Sequence, residues 1–90
     1  MRLDVVILIG NGRGSYASAR KTIALDFAPV PGMKYDDGTW RDSGGRAIIE
    51  VSIECPPDET PYLNVALKPD DSGAKDNLSP TYKANGWDIV

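Results

Sequence analysis

Clusters of glycine, proline, aspartate and asparagine divide this chain into segments too short for a long helix. The clusters lie at 10–19, 29–32, 37–38, 42–46, 56–61, 69–81 and 85–86. Between them, 47–54 and 62–68 alternate apolar and polar residues, which is the period of a half-buried strand. We therefore predict a mainly β fold: a small antiparallel sheet, a sandwich or a partly open barrel of five to seven short strands.

Size and composition indicate one globular domain. Ninety residues fit a single small domain, and 41% hydrophobic with 26% charged residues is typical of globular rather than disordered chains. The longest apolar run, Val5–Ile9, is too short to span a bilayer or to serve a signal peptide. Because the single cysteine, Cys55, has no partner for a disulfide, we expect a soluble cytoplasmic protein.

The charge pattern argues against several classes of function. The formal net charge is −3, whereas a general nucleic-acid binder needs a basic face. Residues 46–90 hold the acidic excess, with eight Asp or Glu against four Lys or Arg. The chain has no histidine, which is the commonest general base and metal ligand. We therefore expect a binding protein more than an enzyme, and we predict no catalytic residue, metal or cofactor.

The first third of the chain predicts one clear strand and one ambiguous segment. Residues 2–9 are apolar on both faces, which is typical of a central strand. In the segment 15–28, the alternation of Ile23, Leu25 and Phe27 favours a strand, whereas four alanines favour a helix. The alternative to the mainly β fold is therefore an α+β fold with one helix near 15–28.

The segments 47–54 and 62–68 predict an antiparallel hairpin with one wet face. Its inward residues would be Ile49, Val51, Ile53, Leu63, Val65 and Leu67. Glu50 and Glu54 would lie on the solvated face, where Lys68 could pair with one of them. Cys55 continues the inward side, which predicts a buried thiol.

Two dipeptides and one polar stretch carry the remaining local signals. Asp37-Gly38 and Asn85-Gly86 are both typical of tight hairpin turns, because glycine accepts a positive φ there. A short helical turn fits near 74–78.

The glycine-rich stretch after the first strand suggests a ligand site. Gly10, Gly12 and Gly14 give G-x-G-x-G, one residue short of the dinucleotide pattern, and Lys21-Thr22 lacks the glycine that a P-loop places before its lysine. A generic anion nest of backbone N–H groups remains as a hypothesis, with a plain hairpin loop as its alternative. Its residues would be Gly10, Gly12, Arg13, Gly14, Ser15, Arg20 and Lys21.

Acidic and aromatic side chains near turns predict a surface for another protein. Asp and Asn pairs near 36–37 and 70–77 lack the order of a calcium loop and are explained by turn chemistry. Tyrosine and tryptophan anchor many interfaces but also fill cores. The candidate interface residues are Tyr35, Trp40, Asp58, Glu59, Asp70, Asp71, Tyr82 and Trp87.

These observations together favour a small acidic protein-binding or regulatory domain without enzymatic activity. Its partner would be a protein with a basic surface or a second copy of the chain, with no nucleic acid and no membrane. The alternative is a small-molecule or phosphate-binding module, with or without an activity, that uses residues 10–15.

Overall fold

The computed structural model describes residues 1–41, 44–70 and 76–90 and confirms the mainly β prediction. Six strands form one curled half-barrel sheet of mixed direction, and a short helix packs against it. The elements are β1 (Arg2–Gly10), β2 (Tyr16–Ala24), β3 (Lys34–Tyr35), β4 (Arg46–Glu54), β5 (Tyr62–Leu67), α1 (Ser79–Ala84) and β6 (Asp88–Ile89). Their order across the sheet is β3-β4-β5-β1-β2-β6.

The strand pairing confirms β1 as a central strand and adds a parallel pair to the expected antiparallel ones. β1 and β2 form an antiparallel hairpin, and so do β4 and β5. β1 and β5 run parallel, with Leu3 opposite Leu63 and Val5 opposite Val65. The pair is parallel because the chain after β2 crosses to the opposite edge of the sheet at β3, and β4 and β5 then return to the centre.

The helical alternative for residues 15–28 is wrong, because most of that segment is β2. Nine residues of β2 pair continuously with β1, from Tyr16 opposite Gly10 to Ala24 opposite Arg2. This long pairing overrides the helix propensity of the alanines, which is worth only a few tenths of a kcal/mol per residue. Ala17 and Ala19 instead lie on the concave side, where small side chains leave room for aromatic rings.

A bulge changes which residues of β4 face inward. The register with β5 shifts between Ile48 and Glu50, so one extra residue stands opposite the partner strand. Ile48 is consequently 5% exposed and Ile49 is 54% exposed, whereas plain alternation placed Ile49 inward. Beyond the bulge the predicted alternation holds, with Val51 opposite Val65 and Ile53 opposite Leu63.

Both predicted hairpin turns at Asp37-Gly38 and Asn85-Gly86 are wrong. The strand before Gly38 is β3, which pairs with Arg46 and Ala47 rather than with the residues after the turn. Gly86 has φ +87° but follows the C-terminal end of α1, where its N–H donates to the carbonyl of Lys83. Of the helical turn expected near 74–78, residues 74 and 75 lie outside the described residues; the described part, 76–78, is not helical, and Asn77 forms a bridge with Asn11 before the helix starts at Ser79.

The core lies between the concave face of the sheet and the chain that crosses it. Leu3, Val5, Ile7 and Ile9 of β1 are all buried there. Rings from residues 35–40, from α1 and from the segment before β6 pack onto this face. Gly45 (φ +98°) lies directly against the Tyr35 backbone at one end of the crossing segment. Glycine is needed there, because a Cβ would overlap the carbonyl oxygen of Tyr35.

Candidate functional site

The glycine-rich stretch forms the tight turn between β1 and β2. The Asn11 N–H donates to the Ser15 carbonyl (3.2 Å), and the Asn11 Nδ2 group donates to the Ser15 hydroxyl (2.8 Å). The Arg13 N–H donates to the Asn11 side-chain oxygen (2.8 Å). The loop thus uses its own donors to close itself, and Gly12 and Gly14 supply the two positive φ angles that the turn needs.

The two basic residues proposed to assist this loop lie on opposite faces of the sheet. Arg20 and Lys21 are consecutive in β2, so their side chains project to different sides. Arg20 is exposed, whereas Lys21 turns to the concave side and forms an ion pair with Asp37. The structure therefore does not bring Lys21 to the glycine loop, and β2 supplies no helix N-terminus to attract an anion.

Four of the aromatic residues meet in one cluster on the concave face, which we call the aromatic cluster: Tyr35, Trp40, Tyr82 and Trp87. Their rings pack edge to face with centroid distances from 5.5 Å to 6.2 Å. Tyr82 and Trp87 are buried, and Tyr35 and Trp40 are partly buried. Their proposed role at an interface needs correction for Tyr82 and Trp87, because both rings lie in the core.

One hydrogen-bond chain ties the cluster to Asp37. Trp87 Nε1 donates to the Thr39 hydroxyl (3.0 Å), which donates to the Asp37 carboxylate (2.5 Å). The same carboxylate accepts hydrogen bonds from the Tyr35 hydroxyl (2.9 Å) and from the Lys21 ammonium. The Lys21 ammonium also lies 5.2 Å from the centre of the Trp87 ring.

A second chain ties the other half of the cluster to Asp70. Trp40 Nε1 donates to the Tyr82 hydroxyl (2.8 Å), which donates to the Asp70 carboxylate (2.7 Å). The Arg46 guanidinium lies 3.5 Å from the same carboxylate and donates to the Pro69 carbonyl (2.7 Å). Each indole N–H therefore reaches a carboxylate through one hydroxyl group, and each carboxylate has a cation beside it.

This network holds side chains in place and is poorly suited to proton transfer. Burial and the adjacent carboxylates raise the pKa of the Tyr35 and Tyr82 hydroxyls, so both stay neutral. Burial alone would raise the pKa of Asp37, but hydrogen bonds from Lys21 and Thr39 hold it below its ordinary value of 3.8. An ionised carboxylate that already accepts from three side chains and the Thr39 N–H is a weak general base.

Replacing Tyr82 with phenylalanine tests the second chain. We expect Y82F to lower the free energy of unfolding by about 1–3 kcal/mol, because the Trp40 indole and Asp70 both lose a hydrogen-bond partner. Y16F is the matched control, since the Tyr16 ring is exposed, and it should change stability by less than about 0.5 kcal/mol. Urea unfolding followed by circular dichroism measures both variants, and equal stability of the two would contradict the proposed role of the hydroxyl.

The acidic residues of the predicted interface do not share one surface. Asp58 and Glu59 are exposed in the turn before β5, next to the start of β1. Asp70 is buried and forms a backbone bridge with Ile9 at the far end of β1. Asp71 lies outside the described residues. Among the residues that the structure describes, no three His, Cys, Asp or Glu side chains come together as a metal site requires.

Sequence reasoning missed an apolar surface at the end of the sheet where β1 begins. Met1, Phe27 and Ile53 are exposed at that end, and Met33, beside Ile48, borders the same concave face; all four are between 41% and 71% exposed, and we call them the apolar mouth. They surround two grooves of about 70 Å³ and about 170 Å³, whose walls include Leu3, Leu63 and Val65. Alternation places Phe27 and Ile53 on the inward side of their segments. Both are exposed because no described residue covers that end of the concave face, and the sequence gives no sign of this.

Among the residues that the structure describes, no strand lies next to the edge of β4 beside the apolar mouth. β3 pairs only with Arg46 and Ala47, and backbone hydrogen bonds from residues 32 and 33 reach no further than Ile48. Within the described ranges, residues 50–54 therefore pair with β5 alone and offer an open edge. Cys55 follows this edge and is exposed, so the prediction of a buried thiol is wrong. The thiol is exposed because no described residue covers the inward side of the sheet at that end.

Comparisons with protein-family models, with curated proteins and with solved structures found no match for this chain. Among the described residues, no helix is long and apolar enough to cross a membrane.

Proposed function

We propose that this protein is a small binding domain that docks another protein at the apolar mouth. The observation that carries the proposal is the exposure of Met1, Phe27, Met33 and Ile53 around two apolar grooves. Single exposed apolar residues are ordinary, but several exposed apolar side chains that border grooves on one concave face are typical of an interaction site.

The position of the patch supports a protein partner over a small ligand. The grooves are shallow and their walls carry few polar groups, whereas a small-molecule pocket combines enclosure with placed polar groups. The patch also adjoins the open edge of β4, where a partner could add backbone hydrogen bonds to apolar contacts.

The proposal includes a regulatory rather than a catalytic role, in a reducing compartment such as the cytoplasm. The described polar cluster has its tyrosines neutral and its Asp37 carboxylate fully engaged by donors, which favours support of the fold over chemistry. The exposed thiol of Cys55 suits a reducing environment, since oxidising surroundings would couple exposed thiols between molecules.

Site-specific photo-crosslinking in the native cell tests the docking surface. A benzophenone side chain placed at Phe27 is expected to give discrete protein adducts, because that ring borders the groove. The matched control is the same group at Tyr16, an aromatic residue of similar exposure in the β1–β2 hairpin at the other end of the sheet.

A second variant links the adducts to the apolar mouth. Adding Ile53→Glu to the Phe27 probe is expected to remove at least about nine-tenths of the adduct, because a charge would enter an apolar interface. Equal adducts from Tyr16 and Phe27, or adducts that survive Ile53→Glu, would refute docking at this surface.

A further inference from the structure

We infer that the partner binds as an extended strand along the edge of β4, with basic side chains opposite Glu50 and Glu54 and apolar side chains between them. This inference rests on the proposed binding at the apolar mouth and specifies the chemistry of the partner. It is carried by the open strand edge, the alternation of its two faces and the charges at its ends.

The open edge has the length and regularity that strand addition needs. Beyond the bulge, residues 50–54 keep an unbroken antiparallel register with β5, so the backbone is already extended. Edge strands expose a row of unpaired backbone groups, and native proteins usually block such rows. Here the blocking segment ends its pairing at Ile48, and among the described residues nothing pairs with the outer edge of residues 50–54.

The two faces of this edge differ in chemistry, so each would favour different side chains in a partner strand. Val51 and Ile53 pair with Val65 and Leu63 and therefore share their concave, apolar side. A residue of an added strand opposite Ile53 would lie beside the groove that Ile53 lines, and a residue opposite Val51 would continue the same apolar side. Apolar side chains are therefore expected at two positions of the partner separated by one residue.

The opposite face of the edge is acidic. Glu50, Ser52 and Glu54 pair with Ala66, Asn64 and Tyr62 on the outer side, and both glutamates are exposed. No ion pair joins either glutamate to a cation of the described residues; Lys68, expected to reach one of them, forms none. Directly opposed charges on neighbouring strands interact, so Lys or Arg opposite each glutamate would complete the pairing.

The same charges argue against a second copy of this chain as the occupant. In the two-fold antiparallel arrangement centred on Ser52, each Glu50 would stand opposite Glu54 of the other copy, and like charges in that position are destabilising. The residue order expected in the partner segment is therefore basic, apolar, any residue, apolar, basic. This order is the same in both directions, so it does not depend on whether the added strand runs parallel or antiparallel to β4.

Synthetic peptides provide the test. The probes are extended peptides in which valine alternates with lysine, with glutamate or with threonine, each flanked by glycine. We expect the lysine peptide to shift the backbone amide NMR signals of residues 49–54 and to bind about tenfold more tightly than the threonine peptide at low salt. The advantage should shrink as salt rises, since exposed pairs are screened.

Charge reversal on the protein gives the decisive comparison. The double variant E50K/E54K should reverse the order, so that the glutamate peptide binds more tightly than the lysine peptide. E59K is the matched control, because it makes the same kind of change at an exposed residue of the turn before β5 and should leave the order unchanged.

The outcomes separate this inference from the function on which it rests. If all three peptides shift residues 49–54 equally, or if E50K/E54K does not reverse the order, the basic partner is refuted while docking at the apolar mouth stands. If no peptide shifts these residues but Phe27 crosslinks to a protein, strand addition is refuted and the mouth alone binds. A dimer in sedimentation that protects the β4 edge from hydrogen exchange would refute the heterologous partner.

Discussion

W87A is expected to lower the free energy of unfolding by about 3–5 kcal/mol, the largest effect of any single change that we predict. Trp87 is 2% exposed, and its ring contacts three others of the aromatic cluster. Truncation leaves a cavity at the centre of that cluster and removes the donor to the Thr39 hydroxyl. Small domains are stable by only about 5–15 kcal/mol, so such a loss would remove a large fraction of the total stability.

The control for this prediction is F27A, an aromatic truncation at a half-exposed site. It should cost less than about 1 kcal/mol, because much of the ring already contacts solvent. Urea unfolding of both variants should be followed by circular dichroism. Tryptophan fluorescence is less suitable, because W87A lacks one of the two tryptophans. A cost for W87A no greater than that for F27A would show that the aromatic cluster does not stabilise the fold.

The pattern of alternation predicted the strands well because burial on one side of a sheet imposes a period of two. It identified β4 and β5 as a hairpin, while apolar residues on both faces of 2–9 identified β1 as central, and both assignments hold. It failed at Ile48 and Ile49, because a bulge shifts the period by one residue and leaves no mark in the residue types. Local turn signals failed at Gly38 and Gly86, since a glycine with positive φ serves a loop or a helix end as well as a hairpin.

The surfaces were harder to predict than the strands, because they depend on which distant segments cover which face. The sequence indicates that Ile53 and Phe27 belong to apolar faces, but only the three-dimensional arrangement shows that the crossing segment stops short of them. Conversely, Tyr82 and Trp87 resemble interface anchors beside turns, yet α1 and the segment after it fold both rings into the core. Residues far apart in the chain, such as Thr39 and Trp87, meet only through this folding.

D37N is expected to lower the free energy of unfolding by about 2–4 kcal/mol at neutral pH, because it removes the charge that holds Lys21 on the concave face. Asparagine keeps one acceptor oxygen, so the Thr39 and Tyr35 hydroxyls cannot both be satisfied as they are by the carboxylate. D36N is the matched control: the neighbouring carboxylate is exposed and, among the described residues, accepts only from the Gly38 N–H, so the change should cost less than about 0.5 kcal/mol.

The pH dependence of this cost distinguishes the charge of Asp37 from its shape. The pKa of Asp37 in the folded protein lies below its ordinary value of 3.8, so its ionised form contributes stability above that value. This contribution is lost as the pH falls through the folded pKa, because the protonated carboxyl no longer pairs with Lys21. The difference between the wild type and D37N should therefore be constant at neutral pH and shrink below about pH 4.

Asp4, whose pKa is lowered chiefly by its hydrogen bonds from Arg2, loses its contribution over the same range in both proteins and cancels. Urea unfolding at a series of pH values measures the difference, and a gap that stays constant down to the lowest pH would show that the Asp37 charge does not stabilise the fold.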